Sequence, residues 1–278
     1  MAAWDRLGRV PPRELVEARL EVHHALQLVA IGVGRALLDP KDDDSHTALT
    51  WRDVPGQWIG GAIPGTGSLR AGLRPVDLGL TLGGKDDPAG EQLELEGVTR
   101  NEGLAWLREH LEPHGIAPDD VTLDFHYEMP SHPVADGKTF GGDLAEARQE
   151  LSCWFGLASA LLLEASRDAD ASPIRTWPHH FDIATLLKHG KGDSHTVGVG
   201  LAAGDDAYAE PYFYVSPYPP PRGSDLPELP SGHWHTDGFF SAVLTGSELL
   251  DPGAASPDER ARAFLTTAIA ESHRLLDG

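Results

Sequence analysis

The sequence predicts an α+β fold, mainly antiparallel sheet packed with about four helices. Three observations lead there. Candidate elements run helix, several strands, helix, strand, helix, several strands, helix, which is not a repeated βαβ unit. The strand-like segments alternate and are separated by turn residues, the pattern of antiparallel pairing. The helical segments carry their own start signals. At 278 residues the chain can bury a sizeable core. It reads as a single domain, with two pseudo-similar halves (1–130 and 131–278) as the other division.

The first helix is predicted from about Pro12 to Leu38. Pro12 suits an early helical position, and Leu15, Val16, Leu20, Leu26, Val29 and Val33 recur at helical spacing. The second runs from about Thr99 to His114, with Thr99 and Glu102 at capping-box spacing. The third runs from about Asp143 to Ser166, opened by Asp143 with Glu146 three residues on. The fourth starts at Ser256, with Pro257 first and Glu259 third. "TALTW", "QWIGGAI", "VDLGLTL" and "QLELE" are predicted strands between the first two helices, and "VTLDFHYEM" follows the second. "FDIATLL", "HTVGVGL", "PYFYVSPY" and "FFSAVLT" fall between the third and fourth.

Forty-three acidic and 22 basic residues give a net charge of −21. No basic patch is visible, so nucleic acid and anionic membrane are poor partners. No apolar run approaches the roughly 20 residues of a membrane span. The N-terminus lacks the apolar stretch of a signal peptide, and Cys153 is the single cysteine. A cytoplasmic protein is expected. The tetrapeptide Asp-Ser-His-Thr occurs at Asp44–Thr47 and Asp193–Thr196, but about half such a match is expected by chance at ordinary residue frequencies.

Fourteen histidines are roughly twice an ordinary share. "WPHHFDIATLL" raises the question of what they do. Read as a strand, "HHFD" puts His180 and Asp182 on one face and His179 on the other. The same rule puts His233, His235 and Asp237 on one face of "GHWHTDGF". Imidazole and carboxylate together are ligands that zinc, manganese and ferrous iron accept. The plainer reading is that these histidines bond backbone carbonyls at strand ends. His46 follows three aspartates, as a third imidazole or as part of a solvated turn. His23 and Gln27, four apart in the first helix, either satisfy buried partners or line a cavity. "YAEPYFYVSPYPPP" gathers Tyr208, Tyr212, Tyr214 and Tyr218 around Glu210. A carboxylate in aromatic surroundings is desolvated, which favours acid–base work. No nucleophile elbow, phosphate loop or dinucleotide loop is present.

"SPIRTWPHHFDIATLL" followed by "AEPYFYVSPYPPP" resembles a bacterial family known as domain of unknown function 5996. That family reads Ser-Pro-Val, then Phe-Trp-Gly-Ser-Phe-Asp-Leu-Ala, then Glu-Pro-x-Phe-Tyr-x-Tyr-x-Tyr-Pro. His23, Gln27 and His46 fall at matching places. The resemblance spans most of the chain at low identity. It implies a shared fold, brings no activity, and supports His23, His46, Asp182 and Glu210. Where this chain has Pro178, His179 and His180 the family has Trp-Gly-Ser, so the resemblance does not extend to the double histidine.

The leading expectation is a metal-dependent enzyme, most simply a hydrolase acting on a small polar substrate. His46, His180, Asp182 and His235 would hold a divalent ion, zinc before iron or manganese. Glu210 and His23 would be the catalytic groups. One alternative is a non-catalytic binding protein whose pocket is lined by Gln27, Trp177, Tyr212 and Tyr214. Another is a non-haem iron oxygenase. The oligomeric state stays open.

Overall fold

The structure is a computed structural model of the chain, and it describes residues 3–84, 90–190, 195–221, 225–253 and 255–277. The second Asp-Ser-His-Thr copy begins outside the described residues. The fold is α+β, as expected. The helices are α1 (Pro12–Val29), α2 (Arg100–Leu111), α3 (Ala145–Ala165), the short α4 (Gly246–Leu250) and α5 (Pro257–Asp277). Strands β1 (Thr50–Arg52), β2 (Gln57–Ile59), β3 (Arg70–Arg74), β4 (Gly79–Gly83) and β5 (Glu91–Glu94) form one antiparallel sheet in chain order. Strands β6 (Arg175–Trp177), β7 (Asp182–Lys188), β8 (Thr196–Ala202), β9 (Tyr212–Tyr218), β10 (His233–His235) and β11 (Ser241–Thr245) form a second, ordered β10-β11-β9-β8-β7-β6. No helix among the described residues is long and apolar enough to cross a membrane.

The start signals act as read for two helices. Thr99 and Glu102 close a reciprocal capping box on α2, and Ser256 exchanges bonds with Glu259 before α5. Asp143 does not cap α3, which begins two residues later. The first helix continues past Val29 as a π-helical segment, Ala30–Arg35. Such widened turns are uncommon and cluster at functional sites. "VTLDFHYEM" forms no strand. Two of its carbonyls are taken by side chains instead: Arg108 Nε donates to Val121 O at 3.0 Å and Arg35 Nε to Asp124 O at 2.9 Å.

"HHFD" is not a strand either. Residues 178–181 make a turn, closed by the Phe181 amide on the Trp177 carbonyl at 2.8 Å, with Phe181 at φ +54°. Only Asp182 enters β7, so the two-residue alternation that paired His180 with Asp182 does not apply. His235 lies in β10 as read, but Asp237 lies in the bend after it. The division at 130/131 is not the one the chain adopts. One compact unit is Arg13–Ser152 with Thr176–Phe181; the other is Met1–Pro12, Cys153–Arg175 and Asp182–Gly278.

In the first unit the five-stranded sheet has two unlike faces. Trp51 pairs with Trp58, Trp58 with Leu73, Leu73 with Leu80 and Ala71 with Leu82, and this face is buried. The opposite face carries Arg52, Gln57, Arg70, Thr81 and Gln92. Trp58 is fully buried and its indole N–H reaches Thr176 Oγ1 at 3.1 Å, so burial leaves no orphan donor. Arg148 and Glu21, both buried, pair at 2.9 Å, and Glu21 also accepts the Gly141 amide at 2.6 Å. In the second unit β7, β8 and β9 pair over seven residues each. Ile183, Val197, Val199, Leu201, Phe213 and Val215 are buried there, as are Phe264, Leu265 and Ala268 of α5. Burying each such side chain contributes roughly 1.5–3 kcal/mol.

Candidate functional site

The residues singled out in the sequence separate into two groups, one in each unit. His23, Gln27, His46, Trp177 and His180 belong to the first unit. Asp182, Glu210, Tyr212, Tyr214 and His235 belong to the second.

In the first unit the bend after β6 presents the Pro178 carbonyl to α1. It accepts His23 Nε2 at 2.6 Å and Gln27 Nε2 at 3.0 Å. Gln27 also donates to the His23 carbonyl at 3.2 Å, and its Oε1 accepts Tyr127 Oη at 2.6 Å. Gln27 is therefore bonded at both ends of its amide within the unit. The His23 ring stacks on Phe181, centroids 4.9 Å apart and 7° from parallel. Burial holds its pKa down to about 3, against the partial support of the Pro178 bond. The ring is thus held neutral, with its N–H engaged by the backbone. His24 is held likewise, on Pro130 O at 2.8 Å, and burial lowers it too.

A second polar arrangement, which the spacing of residues does not reveal, begins one loop away. Lys41–Thr47 folds tightly on itself. Thr47 and Asp44 amides return to Asp44 and Lys41 carbonyls, and the Lys41 amide donates to His46 Nδ1 at 3.2 Å. With Nδ1 accepting, a neutral His46 carries its proton on Nε2. The loop packs on the π-helical segment because residue 34 is glycine. A Cβ there would stand 3.1 Å from His46 O and 3.2 Å from Thr47 Cα. Between loop and π-segment lies a hollow of about 380 Å³, lined by Ile31, Arg35, Lys41, Asp44, His46 and Asp124 among others. Asp44, at φ +59°, turns one carboxylate oxygen onto His126 Nε2 at 2.6 Å. His126 stands edge-on to Tyr127 at 4.9 Å. Tyr127's hydroxyl is raised above its ordinary value by burial and then by Asp44. His179, half-buried with a buried unpartnered Nδ1, faces Tyr127 at 6.0 Å, and burial, with His180 second, lowers its pKa. His180 itself is exposed, its ring 4.3 Å from His179. Trp177 meets His179 edge-on at 6.1 Å. His126 and Asp44 gave little signal in the sequence: they lie 82 residues apart, and "VTLDFHYEM" reads as a strand.

In the second unit the register places Asp182, Tyr212, Tyr214, His233 and His235 on one sheet face. Tyr214 reaches across β8 to donate to Asp182. Gly200 lies between them, and a Cβ there would stand 2.5 Å from the Tyr214 hydroxyl. Tyr212 donates to Asp205 at 2.6 Å. Tyr208 sits between His233 Nε2 at 2.9 Å and His235 Nδ1 at 2.8 Å, while His235 Nε2 donates to the Asp237 carbonyl at 2.5 Å. Burial raises Tyr212 and Tyr214, with Asp205 the next cause for Tyr212 and Asp182 for Tyr214. These hydroxyls are engaged internally. Glu210 precedes β9, and its two oxygens take the Ser247 amide at 2.6 Å and Ser247 Oγ at 2.7 Å. It anchors the start of α4 and is not framed by an aromatic wall along one strand.

Among the described residues no group of three or more His, Cys, Asp or Glu side chains is arranged to hold a metal ion. Of the expected ligands, His46 accepts the Lys41 amide, Asp182 accepts the Tyr214 hydroxyl and His235 meets Tyr208, while His180 is exposed. Comparison of the chain with protein-family models, curated proteins and solved structures finds no match. The resemblance drawn from "SPIRTWPHHFDIATLL" thus rests on those residues alone.

Proposed function

We propose that the protein is an enzyme acting on a small polar substrate held in the hollow between the Lys41–Thr47 loop and the π-helical segment. His126, oriented by Asp44, is the proton-transfer group. One observation carries this reading: a single carboxylate, Asp44, both lines the hollow and bonds the imidazole at 2.6 Å. With Nε2–H turned to the carboxylate, a neutral His126 leaves Nδ1 as the base, the arrangement of an oriented general base. Arg35 and Lys41 supply cations for an anionic substrate group, and His46 Nε2–H supplies a neutral donor. Activation of a water, and so hydrolysis, is the simplest reaction such a pair serves. Ligand binding without turnover is the second reading, and the same hollow supports it.

The test is a turnover screen over small esters, amides and hydroxy acids, followed by His126→Gln and Asp44→Asn. The first variant should lower turnover by roughly 10²–10⁴ while ligand affinity changes little. Undiminished turnover in His126→Gln would remove the proposal. Binding with no turnover in the wild-type chain would establish the second reading. Stoichiometric zinc or iron in the purified protein, required for turnover, would restore the metal-assisted hydrolase or the oxygenase.

A further inference from the structure

The polar face of the five-stranded sheet carries a second hollow, of about 300 Å³, within the first unit and separate from the histidine network. Its floor is built from strands β2, β3 and β4. Antiparallel register sets Arg52 opposite Gln57 and Gly72 opposite Thr81, all on the same face, with Arg70 two residues along β3 from Gly72. Gln57 is only 4 % exposed and Thr81 only 2 %, and neither side chain has a hydrogen-bond partner among the described residues. Neither polar group is among the fully buried orphans of the fold, so both open on the hollow and are available to a bound group. Glycine at position 72 keeps that floor bare. A Cβ there would stand 2.9 Å from Thr81 Oγ1 and 2.8 Å from the Trp58 carbonyl.

The walls decide the charge of the occupant. Arg52 makes no hydrogen bond or ion pair among the described residues. Arg70 gives one guanidinium N–H to the Gly60 carbonyl at 2.9 Å and has no carboxylate partner among them. Arg74, on the same face, is by contrast neutralised by a forked bond to Asp77. In a chain of net charge −21, two guanidiniums without acidic partners among the described residues in one hollow are a selective feature. Guanidinium forks, an amide N–H₂ and hydroxyls all donate, and together they match the oxygens of a carboxylate or a phosphate.

The geometry points to a binding site for a small molecule bearing an oxyanion, held by Arg52 and Arg70 at the walls and by Gln57 and Thr81 at the floor. This site stands independently of the reaction assigned to His126.

Isothermal titration of the full chain at low ionic strength, with inorganic phosphate and separately with succinate, tests it. At least one probe should bind saturably at one per chain, and which one binds separates a phosphate from a carboxylate occupant. Arg52→Gln, at an exposed position, should weaken that binding tenfold or more, and Arg52→Lys should recover part of it. Gln57→Glu, which puts a carboxylate into the floor, should abolish it. Arg35→Gln, in the other hollow, should leave it unchanged. Circular dichroism checks that each variant is folded. No saturable binding of either probe overturns the site, as does binding that survives Arg52→Gln or is lost in Arg35→Gln instead.

Discussion

The two units hold their buried polar groups in different ways. In the histidine-rich unit, imidazoles and an amide are tied to backbone carbonyls: His23 and Gln27 to Pro178, His24 to Pro130. In the tyrosine-rich unit, side chains satisfy one another: Tyr214 and Asp182, Tyr212 and Asp205, Tyr208 and the two β10 histidines. The difference has a consequence. Backbone carbonyls fix neutral rings in place and leave the carboxylates of the neighbouring loop for other partners, and one of these, Asp44, bonds His126 and also lines a hollow. Tyrosine–carboxylate pairs use up donor and acceptor together. The first network leaves polar side chains turned to a hollow, while the second ties the side chains of a sheet face to one another.

The largest effect that would sharpen this contrast is a pH dependence of stability in the histidine-rich unit. His23 is held near pKa 3 in the folded chain, against an ordinary value of 6.5. The unfolded chain therefore binds the extra proton first as pH falls, and stability drops between about pH 6.5 and pH 3. Above pH 6.5 this contribution is fully present. Its loss amounts to roughly 1.4 kcal/mol per pH unit inside the window. Urea melts from pH 7 to pH 4 should show this slope, and His23→Gln should flatten it. An unchanged slope in the variant would mean that the buried imidazole is not the neutral anchor described.

A smaller effect is expected in the tyrosine-rich unit. Tyr214→Phe removes the hydroxyl that reaches Asp182 and should cost about 1.5–3 kcal/mol, read as a shift of the melting midpoint. Gly200→Ala should act in the same direction, since the new methyl would meet the Tyr214 oxygen. Turnover lost in Tyr214→Phe at unchanged stability would instead move the chemistry to this sheet face. The smallest effect belongs to Glu210→Gln. It weakens the anchor on Ser247 and should lower stability by about 0.5–1 kcal/mol without altering turnover. A hundredfold loss of turnover would reinstate Glu210 as the proton shuttle.

Much of the fold was legible because local chemistry specifies it. The Thr99/Glu102 and Ser256/Glu259 boxes satisfy helix-end amides within four residues, so no distant partner is needed. Alternation marked β7, β8, β9 and β11, whose buried faces are continuous. "RAGLR" was missed as a strand because its glycine and flanking arginines mask the alternation, and its burial comes only from its neighbours in the sheet. "VTLDFHYEM" has strand composition, yet Arg35 and Arg108 take two of its carbonyls, and both lie in other elements.

For the site, the sequence by itself determined the stock of groups: abundant imidazole, an aromatic segment, His23 and Gln27 on one helical face, and an acidic loop at Asp42–Asp44. Only the tertiary structure decided how they were used. Pairings such as Asp44 with His126, Tyr214 with Asp182 and Glu210 with Ser247 join residues 32 to 82 positions apart. A hydrogen bond is specified by distance and angle in space, and neither is written in the spacing of residues along the chain.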